Sequence, residues 1–178
     1  MQSIGKNRVL ATTSLGTRSE ASRWVLRGSV MGIAAGGVFL SFEMIVAGLT
    51  GQSTFEPLRM IASVVLGEGA LSPQPTIVLA IVVPVALTVH YALSGIYGAV
   101  FGAAIAGIDA LRHDRIVLVG AATTFGLLLW LVNFYVIAPI AFPWFSMADP
   151  YVQFTAHTFF FGTALGLSLA GRLGGAGK

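Results

Sequence analysis

Four polar residues stand inside long apolar stretches of this chain, one in each stretch: Glu43, His90, Asn133 and His157. Groups of this kind are costly within a bilayer and mark functional sites by default. Counted along alternating helix directions, all four fall at a similar depth, nearer one membrane face than the other. Each also shares a helical face with small residues, which let helices approach closely in lipid. We therefore expect the four side chains to converge in one buried polar layer.

Several kinds of chemistry fit this layer. One carboxylate and two imidazoles, with Asn133 or water completing the shell, suit zinc, copper or iron. A haem held by His90 and His157 is a less favoured alternative, because the many glycines indicate helices packed too closely for a macrocycle. Chains of Glu and His also relay protons or ions, but no continuous line of polar residues follows this layer. In the purely structural interpretation, the four side chains hydrogen-bond one another or backbone carbonyls and fix the register of the helices.

The elements that position these residues are long apolar helices. A helix needs about 20 apolar residues to span a bilayer, and four segments meet this length: about 26–49, 76–108, 116–138 and 152–170. The first connection contains a shorter amphipathic pattern at about 54–67, with Thr54 as the predicted N-cap and Gly67 or Gly69 as the end. The fold class predicted is therefore all-α: an integral membrane antiparallel four-helix bundle (residues 26–171) with a short extra helix between helices 1 and 2.

Composition and charge support this class. The chain has 178 residues, of which 56% are hydrophobic and 10% charged, which is not typical of a soluble domain. Nine of the ten Lys and Arg residues lie in the terminal segments and in the connection around Arg112, so the positive-inside rule places both termini in the cytoplasm. Residues 1–25 then form a cytoplasmic basic tail. We expect contacts to membrane lipids and none to nucleic acid.

Three stretches resemble a known kind of protein. The sequences FEMIVAG, PLRMIASVVLGEGAL and LWLVNFYVIAPIAFPWF are similar to those of a family of small four-helix bacterial inner-membrane proteins without an established function. An arginine-bearing outer helix together with Asn-Phe-Tyr near a helix end is the specific part of this likeness. The resemblance implies a four-helix fold and a location in the bacterial inner membrane, and it implies no activity, cofactor or catalytic residue.

The function expected from the sequence is non-enzymatic. The chain contains no nucleotide-binding, kinase, hydrolase or zinc-protease signature, and it has no cysteine. Small-residue faces and aromatic flanks instead favour an accessory or assembly subunit of a larger respiratory or photosynthetic membrane complex, in contact with other integral subunits or with copies of itself. The alternative is a metal- or ion-binding or transporting membrane protein that uses the Glu/His/Asn/His layer.

Overall fold

The computed structural model describes the backbone of residues 3–71 and 76–171, and the side chains of 20–71 and 79–171. Within these ranges the chain consists of helices and short connections and contains no strand. Two π-helical stretches connect consecutive α-helices: Asn133–Ile137 joins α5 to α6, and Ala156–Thr163 joins α7 to α8. The α-helices are α1 (Ser3–Leu49), α2 (Glu56–Leu66), α3 (Thr76–Gly107), α4 (Asp109–His113), α5 (Arg115–Val132), α6 (Ala138–Ala141), α7 (Pro150–Thr155) and α8 (Ala164–Ala170).

Three helices in the described part of the chain are long and apolar enough to cross a membrane. They are Glu20–Leu49, Leu79–Gly107 and Arg115–Ala141, with mean hydropathies of 1.9, 1.9 and 2.0. These correspond to the first three predicted spans. The fourth predicted span, at about 152–170, is helical but is not among them, because Gln153, His157 and several threonines lower its hydropathy.

Helices α1 and α3 touch along their backbones. A Cβ atom added at Gly28 would lie 2.1 Å from the carbonyl oxygen of Gly98, and one added at Gly98 would lie 2.2 Å from that of Gly28. Gly32 and Gly102 have similarly close backbone neighbours on the facing helix. Because only glycine permits this approach, the small residues of the two helices determine how near their axes come.

The segment 150–170 packs against α5 in a similar way. A Cβ atom added at Gly126 would lie 2.2 Å from the carbonyl oxygen of His157, and one at Gly162 would lie 2.6 Å from that of Ala122. The hydroxyls of Thr123 and Thr163 also hydrogen-bond each other at 2.8 Å. The two helix pairs join through a shared apolar core of buried residues, which includes Trp24, Phe39, Phe101, Ile105, Leu118, Phe161, Leu165 and Leu169.

Helix α2 lies across one end of the molecule, which we call the α2 end. Its Leu58 and Ala62 are buried against α1 and α3. The indole Nε1 of Trp144 donates to Ser63 Oγ at 2.8 Å and ties α2 to the turn after α6. The helix ends at Gly67, whose φ of 75° favours glycine, as predicted.

Two details of the predicted elements need correction or extension. The N-cap of α2 is Phe55, which makes no side-chain capping hydrogen bond, so the prediction of Thr54 was wrong. In the turn that leads into α2, Ser53 Oγ accepts a hydrogen bond from the Phe55 N–H. Helix α1 extends back to Ser3, so the described part of the predicted basic tail is helical. Arg172 and Lys178, used in the orientation argument, lie outside the described residues.

Candidate functional site

A cavity of about 860 Å³ lies at the α2 end, between α1, α3, α5 and the segment 150–170. Glu43, His90, Asn133 and His157 all line it. The structure therefore brings the four residues singled out in the sequence to one place. The lining residues on α1 extend from Phe39 to Thr50, a distance of about 16 Å along the helix axis at 1.5 Å per residue.

The carboxyl group of Glu43 is held by an amide from the segment 150–170. Gln153 Nε2 donates to Glu43 Oε1 at 2.5 Å, and the Glu43 side chain is only 5% exposed. A buried carboxyl without a donor would be unfavourable, so Gln153 makes this position tolerable. The sequence analysis missed Gln153. The available signal was its position four residues before His157, which places both on one face of a helix.

The two histidines each bond to a backbone carbonyl, but on different helices. His90 Nε2 donates to the Gly36 carbonyl oxygen of α1 at 2.8 Å, whereas His157 Nδ1 donates to the Gln153 carbonyl oxygen one turn earlier at 2.8 Å. Because a carbonyl only accepts, each contact defines which ring nitrogen carries hydrogen. In the neutral ring the opposite nitrogen, Nδ1 of His90 and Nε2 of His157, is then an acceptor. The Phe39 ring packs on both imidazoles, with centroid distances of 5.4 and 4.8 Å.

Asn133 is paired with a tyrosine from α3. The Tyr97 hydroxyl donates to Asn133 Oδ1 at 3.2 Å, and both residues line the cavity. The sequence alone offered no reason to place Tyr97 at this site rather than at a membrane interface. Ser94, one turn before Tyr97 on α3, is buried and lines the cavity as well.

Two of the four polar residues lie in π-helical stretches. Asn133 begins one of them, Asn133–Ile137, and His157 lies in the other, Ala156–Thr163. An extra residue in the turn redirects the side chains that follow, and π-helical turns occur frequently at functional sites. Both stretches face the cavity, so the irregular backbone and the polar lining coincide. No sequence pattern predicted them.

The rest of the lining is mostly apolar and aromatic. Helix α2 contributes Met60, Ile61 and Val64 to this lining. Among the described residues that line the cavity there are three acids, Glu43, Glu56 and Asp149, and no Lys or Arg. The aromatic lining residues are Phe39, Tyr97, Phe134, Phe142, Phe145 and Phe161.

The metal interpretation gains no support from this geometry. Within the described residues, no group of three or more His, Asp or Glu side chains could hold a metal ion. Gln153 already occupies one oxygen of Glu43, and a haem held by His90 and His157 would have to displace the Phe39 ring that packs on both. Zinc, copper or iron bound by Glu43, His90, Asn133 and His157 stays a prediction from the sequence.

Comparison with protein-family models, with curated proteins and with solved structures finds no match for this chain. The resemblance to small four-helix inner-membrane proteins therefore also stays a prediction. Function must be inferred from the cavity itself.

Proposed function

We propose that this chain is an integral membrane protein that binds one small amphipathic molecule in the cavity at its α2 end. One observation carries the proposal: polar side chains from α1, α3, the π-helical stretch after α5 and the segment 150–170 meet around a space of about 860 Å³ that is lined by aromatic residues. Small-molecule sites are concave and mostly apolar, with a few polar groups that orient the ligand, and a bundle of helices is a common place for them.

The proposal includes a fourth transmembrane helix, formed by residues 150–170. At the 1.5 Å per residue of an α-helix these 21 residues reach at most about 32 Å, which is close to the roughly 30 Å of a bilayer's hydrocarbon core. Its polar residues Gln153 and His157 line the cavity, so they do not need to meet lipid. The segment also packs closely on α5 through Gly126 and Gly162. These contacts favour a bundle of four spans over three.

We further propose a bacterial inner membrane location, which the resemblance to small inner-membrane proteins implies, and an orientation in which the end of the molecule that carries α4, opposite the α2 end, faces the cytoplasm. The support for the orientation is the charge pattern: Arg112 lies in α4 and Arg115 just after it, and Arg112 pairs with Glu20 at 3.4 Å. Single cysteines can test this orientation, since the chain has none of its own. In intact cells a membrane-impermeant maleimide should label Ser53→Cys at the α2 end and should not label His113→Cys. The reverse pattern would invert the topology.

The proposed function is binding alone and includes no catalysed reaction. Both cavity histidines bond to backbone carbonyls, not to a hydroxyl that they could activate as a nucleophile, and Glu43 bonds to an amide. These contacts fix the side chains in place, which suits selective binding. The role of accessory or assembly subunit stays a prediction, because the exposed apolar residues serve lipid and protein neighbours equally well. Purification in mild detergent, with identification of any stable partner, tests it.

The experiment for the binding proposal fills the cavity. Val46 lines it, whereas its neighbour Ile45 is 60% exposed on the outside of α1. Val46→Trp should exclude the ligand, and Ile45→Trp is the matched control because it adds the same ring toward lipid. We expect native mass spectrometry and organic extraction to find one small molecule per chain in the wild type and in Ile45→Trp, and to find it lost in Val46→Trp. Equal recovery from both variants, or from neither variant nor the wild type, would contradict the proposal.

A further inference from the structure

The Asp, Glu, Lys and Arg residues among the described lining of the cavity all carry negative charge. Glu43 lies inside it, while Glu56 and Asp149 line it where α2 and α7 begin. No Lys or Arg is among the described residues that form its wall. An anionic head group, such as a phosphate or a carboxylate, would lose its hydration and meet no Lys or Arg in the described part of this wall. A cation would meet the two carboxyl groups of Glu56 and Asp149 at the rim and that of Glu43 inside.

The aromatic residues that line the cavity also favour a cationic ligand. Six Phe and Tyr side chains line the cavity, and the faces of such rings carry negative potential that attracts organic cations. Phe39 lies beside the polar layer, in contact with both histidines, and Phe134 packs edge-on against His157 with centroids 5.6 Å apart. A space that combines a buried carboxyl group with ring faces suits a cation whose charge is surrounded by apolar groups.

We propose that the molecule bound in the cavity is a lipophilic organic cation, and that Glu43 is its counter-charge. This inference rests on the proposed binding function and specifies its ligand class. Gln153 holds Oε1 of Glu43, so the second carboxyl oxygen remains as the acceptor for the ligand. The rings of Phe39 and Phe134 cover the apolar groups of the ligand, and Glu56 and Asp149 favour its entry over that of anions.

Two ions of nearly the same shape and opposite charge provide the test. Binding of tetraphenylphosphonium and of tetraphenylborate is measured on the full chain in neutral-lipid nanodiscs, with empty nanodiscs subtracted. We expect saturable binding of the phosphonium, at least about tenfold tighter than binding of the borate. Glu43→Gln should remove this preference, whereas Glu43→Asp, which keeps the charge, should retain it. Glu20→Gln is the matched control, because it removes a carboxylate that pairs with Arg112 far from the cavity.

The outcomes separate this inference from the proposed function. Equal binding of the two ions, or a preference that survives Glu43→Gln in a variant with unchanged thermal stability, would overturn the cation assignment. A neutral or anionic molecule recovered from the wild type and lost in Val46→Trp would also overturn it, and would leave the binding function standing. Failure of both ions to bind, with no molecule recovered from the wild type, would overturn both proposals.

Discussion

The contact between α1 and α3 leads to a quantitative prediction for Gly98→Ala. The added Cβ atom would lie 2.2 Å from the Gly28 carbonyl oxygen, whereas Cβ atoms essentially never approach other atoms within 3.0 Å. The two backbones must therefore separate locally by at least about 0.8 Å. Overpacking of this kind costs about 1–3 kcal/mol. The His90 bond to Gly36 crosses the same interface, so it should also weaken.

The matched control is Gly120→Ala on α5, where an added Cβ atom meets nothing within 4 Å. Since alanine is a better helix former than glycine by about 1 kcal/mol, this variant should be neutral or slightly more stable. The assay is thermal unfolding of both variants and the wild type in the same detergent, monitored by circular dichroism. We expect Gly98→Ala to unfold at a clearly lower temperature than Gly120→Ala. If the two variants unfold together, the close backbone contact between α1 and α3 is refuted.

Three further predictions concern the parts that hold the cavity. Trp144→Phe keeps an aromatic ring but loses the 2.8 Å hydrogen bond to Ser63, which is worth about 1 kcal/mol. Amide hydrogen exchange in α2 should therefore become roughly five times faster. Unchanged exchange would show that this bond does not hold α2 in place. Asp149→Ala removes the side chain that accepts hydrogen bonds from two N–H groups of α7, so it should lower the free energy of unfolding by about 0.5–2 kcal/mol. Asp149→Asn keeps a capping oxygen and should retain most of this stability. Equal losses in the two variants would refute the capping role. Elemental analysis of the purified protein should find no stoichiometric zinc, copper or iron; a metal that disappears in His90→Ala would establish the metal alternative instead.

The periodic features of the fold could be predicted from the sequence. Apolar length locates the long helices, and glycine at the end of an amphipathic run locates the end of α2 at Gly67. The common face of small and polar residues predicts that Glu43, His90, Asn133 and His157 converge, and all four line one cavity. Each of these inferences uses local spacing, which the helix geometry converts directly into position.

The partners within the cavity could not be predicted in this way. Gln153 reaches Glu43 from 110 positions away, and Tyr97 reaches Asn133 from 36, so both pairs depend on how the helices are arranged in space. The π-helical turns at Asn133 and His157 could not be predicted either, because no residue pattern in the sequence marks them. The cavity volume is likewise a result of packing, which hydrophobic spacing does not fix.

The contact between Glu43 and Gln153 offers the most direct test of the account. The chain has no cysteine, so Glu43→Cys and Gln153→Cys can be combined in one chain and treated with a short bifunctional thiol reagent in native membranes. Ile45→Cys with Gln153→Cys is the control, since Ile45 lies two positions further along α1 and is 60% exposed. We predict an efficient cross-link within one chain for the first pair and little for the control. Equal cross-linking of both pairs, or none for the first, would show that α1 and the segment 150–170 do not enclose a common cavity.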